Sequence, residues 1–338
     1  MENRKVLLSV DNLHVNFRVR GRTLTAIRGI SLDFYENESV AIVGESGSGK
    51  SVSIKAIMGI LAGNAVVDSG TIMYEGRNLL ETNERDYHKI RGSKIGLIFQ
   101  DPLSALNPIM KIGKQITETL KLNNPRMGKK EARQKAVELM ESVGIPDADR
   151  RFDQYPFQFS GGMRQRIVIA IALARDPEIL ICDEPTTALD VTVQARILDL
   201  INRIKKERNI SVIFITHDMG VVANMAQRVY VMYAGKIVEH ADINTIFANP
   251  KHPYTWGLLA SVPRLDSKNK DTLEFIPGTP PDLLAPPVGC PFAARCKYAM
   301  NICKRAMPPV TDFDEPEHYC SCWLYDPRCP KKEESAHE

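Results

Sequence analysis

The stretch GESGSGKS, Gly44 to Ser51, decides how this chain folds. It fits G-x-x-x-x-G-K-[ST], the pattern of a loop whose backbone N–H groups curl around phosphate oxygens. Its surroundings suit that purpose. ESVAIVG before it reads as a buried strand, and KSVSIKAIMGIL after it has apolar residues at helical spacing. Strand, glycine loop, helix opens a nucleotide-binding α/β unit. The helix N-terminus adds partial positive charge to the loop amides. The whole loop, Gly44, Glu45, Ser46, Gly47, Ser48, Gly49, Lys50 and Ser51, is therefore the candidate phosphate cradle. Lys50 would reach the β- and γ-phosphates and Ser51 would ligate Mg²⁺.

EILICDEP, Glu178 to Pro185, supplies the matching acids. Its apolar run predicts a buried strand that delivers Asp183 to Mg²⁺. Glu184, one residue on, points differently and can polarise an attacking water. Cys182 lies inside the run and reads as a small core residue. FSGGMRQR, Phe159 to Arg166, places Ser160, Gly161 and Gly162 at a predicted helix start. That is an ordinary N-cap, or a second anion site.

Around these motifs, LTAIRGISLDF and GTIMYEG read as strands, and RVYVMYAGKIVEH as a hairpin turning at Ala234-Gly235. Between about 101 and 176 the pattern turns helical; KKEARQKAVELMESVGI is amphipathic, with Gly144 as its stop. After about residue 241 the composition shifts. FIPGTPPDLLAPPVGCP is too rich in proline for regular structure and reads as a stiff connector. A net charge of +3 over 338 residues gives no footprint for nucleic acid. No segment has the roughly 18 consecutive apolar residues of a membrane span. The start, MENRKVLLSVDNLHV, carries no apolar run of signal-peptide length, so a cytosolic chain with reduced thiols is expected.

The order GESGSGKS, IFQDP, FSGGM, ILICDEP, TALD, ITHD resembles the ATP-binding subunit of an ABC transporter over residues 1–240. The resemblance implies an α/β fold of P-loop NTPase, ABC type: a mixed sheet core, an antiparallel β subdomain, the helical insert, and a small irregular C-terminal cysteine-rich extension over 241–338. It also implies roles by position. Phe17 in LHVNF would lie against adenine. Gln100 would touch Mg²⁺ and the attacking water. Asp190 would cross between paired nucleotide domains, and His217 would hold the γ-phosphate. The family's L-S-G-G-Q signature here has Phe159 and Met163 at its ends but keeps Ser160 and both glycines, a variant that peptide-transporter members resemble. One phosphate loop and one signature per chain imply a dimer, the signature of one subunit closing over the ATP of the other.

DPLSALNP, TTALDVTVQARIL and NPKHPYTWGLLASVPRL narrow the resemblance to dipeptide and oligopeptide importers. The last of these also reads simply as a C-terminal helix docking on the core. Six of the seven cysteines lie between Gly289 and Cys329. In a reducing compartment that clustering favours metal or cluster ligation over disulfides. Members of this subfamily end in C-x₅-C-x₆-C with a fourth Cys after a His, and several bind a [4Fe-4S] cluster. Cys290, Cys296 and Cys303 have that spacing; the fourth ligand is Cys322, with Cys320 as the alternative since both follow His318. Four thiolates suit zinc as well. With little apolar sequence of its own, the segment is expected to fold around its bound centre rather than a core.

The resemblance thus implies an ATPase coupling dimer closure to peptide uptake at the cytoplasmic face of the cell membrane. Its partners would be a second ATPase subunit, paralogue or identical copy, two membrane-spanning permease subunits and, indirectly, an external peptide-binding protein. The competing readings are a soluble ABC ATPase acting on ribosomes or nucleic acid, and a non-hydrolysing regulator. Neither a second nucleotide domain nor a basic excess is present for the first, and Glu184, Gln100 and His217 argue against the second.

Overall fold

The computed structural model describes residues 4–187, 189–262 and 275–329. Pro263 to Leu265, the end of NPKHPYTWGLLASVPRL, and the tail beyond Cys329 lie outside these. Twelve strands are present among the described residues. In chain order they are β1 (Val6–Val19), β2 (Arg22–Tyr35), β3 (Ser39–Val43), β4 (Ala65–Tyr74), β5 (Arg77–Asn78), β6 (Ile95–Ile98), β7 (Ile179–Asp183), β8 (Ser211–Thr216), β9 (Arg228–Tyr233), β10 (Lys236–Asp242), β11 (Thr311–Asp312) and β12 (Tyr319–Cys320).

They form two sheets. The antiparallel one runs β2-β1-β4-β5, and the larger runs β11-β12-β10-β9-β3-β8-β7-β6. Strands β9, β3, β8, β7 and β6 are mutually parallel, while β10, β12 and β11 add antiparallel to the β9 edge. A parallel sheet must be covered on both faces, which is why its strands are apolar throughout. Alternate residues divide between two cores, following the period of two. Ala41, Val43, Leu180, Cys182, Val212 and Phe214 face the helices, whereas Val40, Ile42, Ile179, Ile181, Ile213 and Ile215 face the β subdomain. Cys182 is fully buried among them, and burial pushes its thiol well up.

The helical insert comprises chiefly helices Ile112–Asn123, Lys129–Ser142 and Gly161–Leu173, joined to the main core through Ile116, Leu120, Ala136, Met140 and Ile167. The 129–142 helix ends at Val143, and Gly144 follows with φ +77°, the left-handed conformation of a stop. The β9–β10 hairpin turns on Ala234 and Gly235 with φ +47° and +79°, both positive as a type I′ turn requires.

The C-terminal segment is largely irregular, as expected, but it packs onto the body of the protein. Strand β12 extends the central sheet, with Cys320 opposite Glu239 and Tyr319 opposite His240, and β11 pairs with β12. Cys290, Phe292 and Cys303 belong to the same apolar core as the insert. The connector lies against β2, where Thr25 N–H donates to Leu283 O at 3.0 Å and Arg28 Nη2 to Pro287 O at 2.7 Å. Cys290 and Cys303 thus join an existing core, with Cys296 packed against it. Helix Pro253–Ala260 docks as expected, with Tyr254 fully buried.

Beneath β9 and β10 lies a charged cluster. Arg228, 5% exposed, forks onto Glu38, 6% exposed, with Nε to Oε1 at 2.5 Å and Nη2 to Oε2 at 2.8 Å. Its Nη1 reaches Glu317 Oε2 and His240 Nε2, both at 3.1 Å. His240 Nδ1 donates to Glu317 O at 2.6 Å, so the ring is held neutral with its proton on Nδ1.

Candidate functional site

The phosphate loop leaves the C-terminal end of β3 and enters helix Lys50–Ile57, with Gly49 as N-cap. Two glycines have specific causes. A Cβ on Gly44 would stand 2.1 Å from Met232 O, so the strand could not lie beside β9 with any side chain there. Gly49 has φ +109°, and a Cβ would strike Met232 Cε at 2.7 Å and Ile27 Cδ1 at 2.8 Å. Lys50 folds back along the loop, its Nζ donating to Gly44 O at 2.6 Å and Glu45 O at 2.9 Å. Burial lowers its pKa, opposed by Glu184, Asp183 and Glu45. Ser48 Oγ is buried and unpaired. A buried cation with an unpaired hydroxyl beside a helix N-terminus suits a polyanion.

Strand β7 brings Asp183 to this loop, where Ser51 Oγ donates to Asp183 Oδ1 at 3.1 Å. Burial raises the Asp183 pKa, Ser51 lowers it, and the neighbouring Glu184 raises it further. A hydroxyl and a carboxylate on adjacent oxygens make a hard donor pair suited to Mg²⁺. Glu184 takes left-handed backbone, φ +46°, fixed by its N–H on Ile215 O at 2.9 Å. That conformation costs roughly 1–2 kcal/mol in a residue with a Cβ. It turns the side chain off the strand, so the two acids face different partners. Glu184 Oε2 accepts from Gln100 Nε2 at 2.8 Å and Thr187 Oγ1 at 2.9 Å, and Oε1 lies 3.3 Å from His217 Nδ1. Residues distant in sequence, from the ends of β6, β7 and β8, thus meet at one carboxylate.

A cavity of about 840 Å³ joins these groups: Phe17, Glu45 through Ser51, Gln100, Glu184 and His217 all line it. Phe17, half-buried on β1, forms one wall with Leu24. Leu258, Ser261, Phe275, Ile276 and Leu283 of the C-terminal segment form another, a wall that no motif predicts.

Ser160, Gly161, Gly162 and Asp190 are not among the cavity's lining residues. Ser160 caps helix Gly161–Leu173, accepting from Met163 N–H at 3.4 Å, and Asp190 caps helix Val191–Arg208, accepting from Val193 N–H at 3.0 Å. The two starts pack together, since a Cβ on Gly162 would meet Val193 Cγ1 at 2.6 Å. Phe159 is buried in the core, so the departure from leucine serves packing; Ser160 and Gly161 remain exposed.

The thiols of the C-terminal segment influence one another. Cys290, Cys303, Cys320 and Cys322 are buried and Cys296 is half-buried. Burial pushes the Cys290 thiol up to about 12, with Cys322, Cys303 and Cys296 adding to the rise. A hydrogen bond joins Cys320 to Cys322 and holds the Cys322 thiol below its ordinary value; burial, with that bond, raises Cys320. Among the described residues no three His, Cys, Asp or Glu side chains are grouped so as to hold a metal ion. Zinc–sulfur bonds of about 2.3 Å would bring tetrahedral sulfurs to about 3.8 Å from one another. Of the expected ligands, Cys290 and Cys303 are buried in the core shared with the insert, Cys296 packs against it half-buried, and Cys322 is buried.

Fold and site together define an ATP-binding cassette ATPase. Residues 27–187 match the ABC transporter family, and residues 238–303 match the C-terminal region of oligopeptide/dipeptide transporters. The chain is 54% identical over 325 residues to the dipeptide transport ATP-binding protein DppD of Lactococcus lactis subsp. cremoris, covering 96% of this chain and 93% of that protein. It is 51% identical to the oligopeptide transport ATP-binding protein OppD of Bacillus subtilis, covering 97% and 91%. Among solved structures, the ATP-binding cassette MJ0796, a dimer in a post-hydrolysis state with ADP and Pi, superposes with a TM-score of 0.63 at 26% identity, over 70% of this chain and 99% of that one. The chain belongs to the family of dipeptide and oligopeptide transport ATP-binding proteins.

Proposed function

We infer that this chain is the ATP-hydrolysing subunit of a membrane ABC importer that takes up dipeptides or oligopeptides. The observation that carries it is the meeting of Lys50, Gln100, Glu184 and His217 on one cavity, in a chain more than half identical to a dipeptide transport ATP-binding protein along nearly its whole length. Among the described residues no helix is long and apolar enough to cross a membrane. The chain works at the cytoplasmic face on two membrane-spanning permease subunits, with a second ATPase subunit and, indirectly, an external peptide-binding protein.

We propose the following roles. Loop amides and Lys50 bind the β- and γ-phosphates, and Phe17 stacks on adenine. Ser51, Asp183 and Gln100 would hold Mg²⁺, which would supply charge neutralisation on the phosphates. Glu184 accepts the proton of a water whose oxygen bonds to the γ-phosphorus. The bond to the β–γ bridging oxygen breaks, giving ADP and phosphate. His217, donating from its ring, steadies the γ-phosphate. Ser160, Gly161, Gly162 and Asp190 serve the nucleotide of the second ATPase subunit, in keeping with their exposed helix starts. In this division residues 1–240 form the nucleotide-binding domain and 241–338 its C-terminal extension.

We also propose that Cys290, Cys296, Cys303 and Cys322, with Cys320 as alternative, hold a [4Fe-4S] cluster. Support comes from the C-x₅-C-x₆-C spacing of Cys290, Cys296 and Cys303 and the shared burial of Cys290, Cys303 and Cys322. A cubane spaces its thiolates more widely than one zinc ion does. Its contribution would be to cross-link the segment. Iron and acid-labile sulfide in anaerobically purified protein test this, and zinc alone would refute it.

The transport reading is tested by uptake of a labelled dipeptide in cells lacking the chain. The wild type restores uptake and Lys50→Ala does not; restoration by both would overturn it.

A further inference from the structure

The phosphate loop is gripped from the cysteine segment. Arg295, immediately before Cys296, places both ends of its guanidinium on Glu45, with Nη1 to Oε2 at 2.6 Å and Nη2 to Oε1 at 3.0 Å. The Arg295 side chain is 6% exposed. Its other contacts fix it from three sides: Nε donates to Pro277 O at 2.8 Å, Nη2 to Ile276 O at 3.1 Å and Nη1 to Tyr233 Oη at 3.1 Å. Glu45 N–H donates to Tyr254 Oη at 2.7 Å. Paired parallel bonds between a planar fork and a carboxylate define orientation as well as distance.

The backbone that carries Arg295 is itself set by the cysteines' turns. Cys290 N–H donates to Cys303 O at 2.8 Å, and Arg295 and Cys296 N–H both donate to Phe292 O at 3.0 Å. Cys290 and Cys296 therefore bracket the run that aims the guanidinium. At the other end, Glu45 is the second residue of the loop whose amides must face the triphosphate. A loop already held in its binding shape avoids the ordering cost that a loose one meets on binding.

We propose that Arg295 is a positioning residue for ATP: through Glu45 it fixes the phosphate loop, so that the fold of the cysteine segment sets nucleotide affinity. This rests on Gly44–Ser51 being the triphosphate site. It assigns the extension a regulatory part in ATP binding. Anything that shifts the run between Cys290 and Cys296 would be felt as a change in ATP affinity, while the reacting groups at Glu184 stay untouched.

The test is titration of the full chain with a fluorescent ATP analogue, alongside kcat at saturating ATP. Arg295→Ala is expected to weaken binding about tenfold, within the span of coupled sites, and to leave kcat within about twofold. Arg295→Lys recovers part of the affinity. Glu45→Gln weakens binding similarly, and the double variant is no weaker than either single one, because both cut the same clamp. Cys290→Ser with Cys296→Ser weakens binding in the presence of Arg295 and adds nothing in Arg295→Ala. Unchanged affinity in Arg295→Ala, or additive losses in the double variant, would overturn the proposal. If Arg295→Ala does not fold, unchanged affinity in Glu45→Gln overturns it equally. Lys50→Ala separates the two claims: if it too binds normally, the nucleotide site itself is misassigned, whereas if it alone loses binding, only the role of Arg295 fails.

Discussion

Replacing Glu184 by glutamine removes one negative oxygen and almost nothing else. The carboxylate accepts from Gln100 at 2.8 Å and Thr187 at 2.9 Å on one oxygen and faces His217 at 3.3 Å on the other. A glutamine oxygen can keep the Gln100 and Thr187 bonds while its NH₂ faces the imidazole, which can present its unprotonated nitrogen. The ground-state loss is then at most one charge-assisted hydrogen bond, about 1.5–3 kcal/mol. That loss falls on local stability, because Glu184 makes no hydrogen bond to the phosphate loop. The catalytic loss is larger, since a neutral amide cannot take the proton of the attacking water. A positioned general base contributes about 10²- to 10⁴-fold, or roughly 2.7–5.5 kcal/mol of barrier. In the assembled transporter, phosphate release should fall at least about 100-fold in Glu184→Gln. The dissociation constant for ATP should move by less than about threefold, as expected for a group that acts only in the transition state. A kcat within about tenfold of wild type would show that Glu184 is not the proton acceptor. A large loss of ATP affinity would move its role to binding.

Other outcomes follow from particular contacts. Phe17→Ala should raise KM for ATP with kcat unchanged, by the about 1–3 kcal/mol that stacking a base on an aromatic ring contributes; equal KM values would place the base elsewhere. Arg228→Met leaves buried Glu38 with the half-exposed Arg4, at 3.5 Å, as its remaining ion pair; it should cost up to about 3–5 kcal/mol in urea unfolding, and adding Glu38→Gln should recover part of it. Burial, with the Arg228 guanidinium beside it, lowers the His240 pKa to about 3, below the ordinary value near 6.5. A depressed histidine contributes stability that is complete above the unfolded pKa and lost as pH falls toward the folded one. Unfolding at pH 5 should therefore be easier than at pH 7.5 by on the order of 2 kcal/mol from this ring, and His240→Phe should flatten that slope.

The parts legible in the sequence are those where one local rule decides the conformation. The phosphate loop, the Ala234-Gly235 turn and the Gly144 stop each depend on a few adjacent residues, and the structure has them where the motifs lie. Strands β3 and β7 were visible because burial on both faces demands uninterrupted apolar runs. The convergence of Gln100, Glu184 and His217 came only from the order of motifs, since no local pattern says that three strand ends meet. Strand β12 was invisible for a different reason: two residues, Tyr319 and Cys320, carry no periodicity, and their pairing with β10 is decided by tertiary contact. The Arg295–Glu45 clamp spans 250 residues between an ordinary arginine and a loop position the motif leaves free. Four cysteines in a row of spacings suggested a segment without a core. Phe292, in contact with Tyr233 and Tyr254, was the available sign that it packs on the body of the protein.

In the proposed mechanism this chain cradles one triphosphate and presents its Ser160 helix start to another subunit's. The most direct measurement is an experimental structure of the assembled transporter carrying Glu184→Gln and locked with ATP and Mg²⁺. Lys50 and Ser51 are expected on the phosphates of the nucleotide bound by this chain, with Ser160 to Gly162 against the nucleotide of the second ATPase subunit. Ser160 remote from every nucleotide in that closed pair, or a triphosphate bound away from Gly44–Ser51, would contradict it.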